Sequence, residues 1–408
     1  MTSWKEAKLS DICSFRSGLW KGKNGPFEKA HVIRNTNFTD DGLLSSTDIA
    51  FFEVETKQLS TRRLKTGDII LEKSGGGPKQ PVGRVSLFEC PGDDYSFSNF
   101  TAAIRPEDPE FIDNRFLHKF LHWVYLSGVT EKMQSNSTGI RNLNLESYKS
   151  IRIPLPPKPE QLLILSRIDE AFTAIQLAKL NTDSNLKNAQ EILNSSVDEL
   201  FLHAPVTWPM SMLMDEIDLL TGFPFKSIGY TSSPDDLPLL RGDNIHQGYL
   251  RWEDVKRWPS SDADQYDKFK LRDGDVVLAM DRPWVKAGLK RSQVHEHDLP
   301  CALVQRTARL RSLERLDQSF LYYLVSSSAF TNHLLKLQTG SGVPHISGPQ
   351  IGSFSFRLPS ISEQKRLVAR LNSIQKETRK MENIYANKLI AFEELKKSIL
   401  QAAFSGNL

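Results

Sequence analysis

The chain is 408 residues long, 39% hydrophobic and 25% charged, a composition that suits a globular protein with room for two to four domains. No apolar run approaches the roughly 20 residues of a membrane span, and Met-Thr-Ser-Trp-Lys opens no secretory signal, so a cytoplasmic protein without a membrane partner is expected. A formal net charge of +3 does not by itself argue for nucleic acid, and Cys13, Cys90 and Cys301, far apart and without CxxC spacing, indicate neither a disulfide framework nor a zinc site.

Residues 1–155 read as an α+β block. Short β-type runs such as Asp68 to Leu71 and Ile151 to Ile153 are separated by Gly, Pro, Asn and Ser clusters, with a helical stretch near Arg115 to Lys132. Two loops mix cations and amides with glycine: residues 72–84, holding Lys73, Ser74, Lys79 and Arg84, and residues 135–144, holding Arg141 and Asn142. Such residues can approach a phosphate or a base edge, so these six are candidate DNA contacts; a solvated surface loop is the plainer alternative for each loop.

Residues 156–204 carry apolar residues at heptad spacing. Leu165, Ile168, Phe172, Ile175, Leu186, Ala189, Leu193 and Leu200 form the seam, interrupted by Lys179 and Thr182. Pro159 suits the first turn and Ala204-Pro205 closes the helix.

Residues 205–359 form a second α+β block, with β-type runs at Asp275 to Leu278 and Phe354 to Leu358 and a helical stretch from Asp317 to Leu337. Its loops at 280–288 and 338–347 occupy the same places as those of the first block and offer Arg282, Trp284, Lys286, Ser341 and His345 as further candidates. A hydrogen-bonded core histidine is an equally good account of His345. The stretch Trp252 to Trp258 could stack on bases, although tryptophan on an amphipathic strand is more often core.

Residues 360–408 repeat the long-helix pattern through Leu367, Leu371, Ile374, Met381, Tyr385, Phe392, Leu395 and Ile399, with Ser362 as the expected cap and Ser405-Gly406 as the stop. Each helix would run about 40 residues, or roughly 60 Å. Residues 160–204 hold three Lys/Arg against seven Asp/Glu, and residues 363–404 nine against five. The opposite charges favour pairing the two helices with each other, as an antiparallel coiled coil that acts as a spacer.

The blocks are a duplication. Arg34-Asn35-Thr36-Asn37 is answered 207 residues later by Arg241-Gly242-Asp243-Asn244, and Gly67-Asp68 by Gly274-Asp275. Leu155-Pro156 with Glu160-Gln161 recurs as Leu358-Pro359 with Glu363-Gln364. A pseudo-twofold arrangement is expected, which suits duplex DNA.

Catalytic signatures fail. Gly75-Gly76-Gly77-Pro78-Lys79 lacks the spacing and the Ser/Thr of a phosphate loop, and there is no amino-methylation motif, GxSxG elbow or HExxH. Pro234-Asp235 with Asp254-Val255-Lys256 has the order of a metal-dependent nuclease, but Asp235 sits in a turn-like string that would not fix its geometry.

Two blocks, each followed by a helix entered through Leu-Pro and Glu-Gln, together with Ser362 to Leu371 and the ending Leu395 to Gly406, resemble the DNA-specificity subunit of type I restriction-modification systems over the whole chain. The resemblance implies an α+β protein of two target recognition domains (1–155 and 205–359) joined and separated by two antiparallel helices (156–204 and 360–408), without catalytic activity of its own. Each domain would read one half of a split, asymmetric site in double-stranded DNA. The helices would dock two modification (methyltransferase) subunits, for which Arg366, Arg370, Lys396 and Lys397 are candidate contacts, and ATP-dependent restriction subunits would join them. S-adenosylmethionine, ATP and magnesium would belong to those partners. The first helix departs from the pattern, being acidic and having Leu162-Leu163 after Gln161. A stand-alone nuclease or methyltransferase, and a coiled-coil adaptor without DNA preference, are the rival readings.

Overall fold

A computed structural model describes residues 4–20, 22–39, 41–77, 80–92, 94–137, 140–285, 288–339 and 344–407. Contacts divide the chain into two units, Met1–Thr182 with Asn387–Leu408, and Asp183–Ala386. The boundaries fall inside the two long helices, Lys158–Leu202 and Ile361–Phe404, so each unit holds a segment of both.

The first unit is built on an antiparallel four-stranded sheet in the order Cys13–Ser17, Thr101–Pro106, Ile69–Glu72, Val85–Leu87. The second repeats that order with Ile217–Thr221, Thr307–Ser312, Val276–Ala279 and Arg291–Gln293. A three-stranded sheet follows the same rule in both: Phe27–Ile33 pairs antiparallel with Ala50–Glu55 and parallel with Tyr95–Phe97, and Leu237–Leu240 does so with Arg257–Trp258 and Ala302–Leu303. Central strands Ile69–Glu72 and Val276–Ala279 are buried throughout, which is why Ile69 to Leu71 and Val276 to Ala279 read as continuous apolar runs and not as alternating ones.

The repeated sequence landmarks are buried polar ties. Asn37 Oδ1 accepts the Arg34 amide at 2.9 Å, and Asn244 Oδ1 accepts that of Arg241 at 3.0 Å, closing the same turn twice. Asp68 and Asp275 follow glycines at φ +92° and +85°, a conformation costly for other residues. Each carboxylate accepts a turn amide at 2.8 Å and grips a strand arginine through two bonds, Arg105 at 2.5 and 2.6 Å and Arg311 at 2.5 and 2.7 Å. Gln161 and Gln364 do the same for the helix entries. Gln161 accepts the Asp113 amide at 2.9 Å and donates to the Phe111 and Pro156 carbonyls; Gln364 accepts that of Asp317 at 2.7 Å and donates to those of Arg315 and Pro359. Asp113 and Asp317 in turn cap the helices Asn114–Leu126 and Gln318–Leu324. The second helical stretch is broken at residues 325–327 and resumes as Ser328–Leu337, where Ser327 supplies a new cap.

Within each unit the two long-helix segments run antiparallel and in contact. Lys179 pairs with Glu393 at 2.8 Å in the first, and Ser195 and Leu200 face Ile374 and Leu367 across one groove in the second. Two sequence expectations are corrected. Ser360, not Ser362, caps the second helix, its hydroxyl accepting the Glu363 amide at 3.4 Å, because the helix begins at Ile361. Leu395 is 46% exposed, while Leu400, Ala403 and Phe404 are buried; near its end the helix faces a domain core, so the seam rotates off the heptad.

Cys13 and Cys301 are buried thiols whose pKa is pushed up to about 12, mainly by burial, so they serve as small apolar side chains. His118 and His122 stack on one face of Asn114–Leu126. Burial, then neighbouring positive charge, lowers His118 to about 3 and His122 to about 4. Both are neutral when folded and protonate more readily when unfolded, so their contribution is complete above the ordinary histidine value near 6.5 and is lost as pH falls from there toward 4. We expect urea unfolding of the first unit to lose on the order of 2 kcal/mol per histidine between pH 7 and pH 5, and His118→Gln to flatten that slope.

Candidate nucleic-acid interface

In each unit the fold brings the two candidate loops together. In the first, Ser74–Gly76 pairs with Ile140–Leu143, which also forms a hairpin with Gln134–Ser137. Arg141 lies opposite Gly76 and Asn142 opposite Ser74, and the Ser74 hydroxyl donates to Asn142 Oδ1 at 2.6 Å. Lys73 reaches Ser17 Oγ at 3.4 Å, and partial burial lowers its ammonium pKa. A glycine strand bonded to a polar hairpin brings the backbone segments that carry Lys73, Ser74, Arg141 and Asn142 side by side.

In the second unit, Asp281 bridges His345 and the Arg282 amide donates to the Pro344 carbonyl at 2.9 Å. Trp284 Nε1 donates to Gln338 Oε1 at 2.6 Å, again tying one loop to the other. His345 Nδ1 lies 2.5 Å from Asp281 Oδ1, and the other oxygen of that carboxylate holds Arg306 at 2.8 Å. Arg282, at φ +45°, is exposed at the turn. Lys79, Lys286 and Ser341 lie outside the described residues.

Two candidates are corrected. Arg84 is buried, its Nε and Nη2 donating to Glu72 at 2.8 and 3.0 Å, Nη2 also to the Asn35 carbonyl and Nη1 to that of Phe38, so its guanidinium holds the sheet to a loop instead of facing a ligand. Lys396 has a side chain only 12% exposed, lying over the Phe172 ring and near Asp41 and Glu393. It packs within the first unit. Arg366 is exposed and Lys397 half-buried, and they pair along their own helix with Glu363 and Glu394, while Arg370 borders a groove of about 280 Å³ in the second unit.

Sequence reasoning missed the third wall of each patch. The Lys73 and Ser74 amides donate to the Phe100 carbonyl at 3.0 and 3.2 Å, and the Met280 amide to that of Arg306 at 2.9 Å, so a turn before the strands Thr101–Pro106 and Thr307–Ser312 joins the loops. A lone Phe or Arg before a strand carries no local signal of this. Trp252 and Trp258 follow the plainer reading, the first bonded to Asp298 and the second packed on Phe225 at 5.0 Å. Asp235 and Asp254 are exposed loop residues, Asp254 at φ +57°, and no group of three metal-ligating side chains occurs among the described residues. Among them too, no helix is long and apolar enough to cross a membrane.

The profile of the type I restriction modification DNA specificity domain matches residues 1–188 and 234–389. The MjaVIII specificity subunit of Methanocaldococcus jannaschii is 29% identical over 68% of this chain and 67% of its own length. The EcoKI specificity subunit of Escherichia coli K12 is 26% identical over 92% and 82%, and the StySPI specificity subunit of Salmonella potsdam is 26% identical over 99% and 89%. Among solved structures, a chain from work on assembly and conformational transition of the type I R-M system superposes with a TM-score of 0.76 at 18% identity, covering 100% of this chain and 99% of that one. The HsdS subunit from Thermoanaerobacter tengcongensis superposes with a TM-score of 0.61 at 20% identity, covering 100% and 98%. Duplicated α+β domains, paired long helices and a specificity profile over both halves place the chain in the type I restriction-modification DNA specificity family, whose members are non-catalytic recognition subunits.

Proposed function

We propose that this chain is the sequence-reading subunit of a type I restriction-modification complex, each domain reading one half of a bipartite, asymmetric DNA site. The observation that carries the reading is one scaffold used twice with unlike loop pairs: Lys73, Ser74, Arg141 and Asn142 in one domain, Arg282, Trp284 and His345 in the other. Identical frames with different side chains should recognise different bases. The two long helices set the gap between half-sites and, with Arg366 and Arg370 exposed and Lys397 half-buried, offer a surface to modification subunits. S-adenosylmethionine, ATP and magnesium chemistry then resides in the partners.

Selection from random duplexes by the purified chain tests this. Two short defined runs separated by a fixed unread gap are expected; one continuous run, or no enrichment, would overturn it, and no enrichment is what a DNA-indifferent adaptor predicts. Cutting or methylation by the chain alone, with magnesium or methyl donor supplied, would reinstate an autonomous enzyme. On the selected duplex, Arg282→Ala should cost about 1–3 kcal/mol and relax one half only, whereas Lys73→Ala should weaken all sequences alike and reduce the salt slope.

A further inference from the structure

We infer that the first domain carries a pocket that takes one nucleobase out of the DNA stack, with Trp20, Phe52 and Phe100 as its aromatic walls. The inference rests on the DNA-reading function proposed above. The cavity is about 320 Å³, within the range of pockets that hold small ligands. Trp20 is 68% exposed, Phe52 37% and Phe100 42%, so three large rings face water around one concavity. Folding alone gives no reason to leave them there.

The rim is polar in the way a base requires. Asn35, Asn99 and Arg34 border the cavity, and Ser98 Oγ and Arg34 Nε are buried without a hydrogen-bond partner among the described residues. Aromatic walls match the face of a base, and amide, hydroxyl and guanidinium groups match its edge. The pocket also adjoins the reading patch: the Phe100 carbonyl accepts the Lys73 and Ser74 amides, and a Cβ on Gly75 would come within 2.6 Å of Asn35 Nδ2. Glycine keeps that loop low against the rim.

The second domain lacks this pocket wall. Thr101 and Thr307 donate to the carbonyls of Ser98 and Val304 in equivalent turns, which aligns Phe100 with Arg306, and Arg306 is paired with Asp281. Base capture is therefore a property of one half-site.

The test uses the full chain and the duplex it selects, with the partner of each base removed in turn. Removing the partner of a captured base prepays its unpairing, so affinity should rise about tenfold at one position. Phe52→Ala and Phe100→Ala should abolish that gain with the melting temperature unchanged, since both rings are part-exposed, and Arg306→Ala should keep it. A selected duplex with no gaining position, or a gain that both variants retain, overturns the pocket while leaving DNA recognition intact. So does loss of affinity on replacing one thymine by uracil without any such gain, which would show contact with a paired methyl group. Failure to select any duplex removes both readings.

Discussion

Glu72→Ala is expected to destabilise the first unit by about 3–5 kcal/mol, because it strands a buried guanidinium. Arg84 donates to both carboxylate oxygens, at 2.8 and 3.0 Å, and to the Asn35 and Phe38 carbonyls at 3.1 and 3.3 Å, and it sits 5.7 Å from the Phe38 ring centroid. Removing the carboxylate takes away the counter-charge and leaves the desolvation cost in place. Arg84→Ala should lose a comparable amount, since Glu72 is then the unpaired charge. Replacing both by apolar residues of similar volume should cost much less than either single change. Urea unfolding of the full chain, followed by a probe in the first unit, measures all four states of this cycle. A loss below about 1 kcal/mol for Arg84→Ala, with selective loss of DNA binding, would return Arg84 to the reading patch.

That prediction separates two kinds of cation that look alike in a sequence. Arg84 lies 12 residues from Glu72 in a glycine-rich loop, and only the pairing of Ile69–Glu72 with Val85–Leu87 brings them together. Its counterpart in the repeat, Arg291, is also buried, but it lies 5.6 Å from the Tyr322 ring centroid and has no carboxylate in that place, since Ala279 stands where the first unit has Glu72. Burial of the arginine is common to both units; its partner is not.

The legible part of the sequence was the part that repeats. Asn37, Asp68 and Gln161 each satisfy several buried backbone or side-chain groups at once, and few other side chains could do so. Their positions therefore recur as Asn244, Asp275 and Gln364, and the duplication can be seen without any structure. Both long helices were legible for a different reason, their extended apolar periodicity. The heptad failed only where a domain replaces the partner helix, which moves Lys396, Leu400 and Phe404 inward and Leu395 outward. The candidate interface was legible in part. Loop position and residue type single out Lys73, Ser74, Arg141, Asn142, Arg282, Trp284 and His345 as candidates, whereas Phe100 and Arg306 join those loops through backbone hydrogen bonds that any residue could make.

Phe404→Ala should remove about 3–5 kcal/mol from the first unit, although it lies more than 200 residues beyond the core residues that the N-terminal segment supplies. Its ring packs at 5.4, 5.3 and 5.9 Å from those of Phe116, Phe120 and Trp123, and Leu400 and Ala403 are buried in the same cluster. Truncation to alanine leaves a cavity between three rings that cannot all collapse into it. Because Asn387–Leu408 belongs to the same unit as Met1–Thr182, a chain ending at Ala386 lacks one wall of that core and leaves Leu165 and Ile168 uncovered on one side. Hydrogen exchange should then show lost protection in Ile69–Glu72 and Thr101–Pro106, with protection retained in Val276–Ala279 and Thr307–Ser312. Unchanged protection in all four strands would mean that the N-terminal domain folds without the last helix. The expected asymmetry means that the first domain matures only once the final turns of the chain have been made, because Asn387–Leu408 completes its unit.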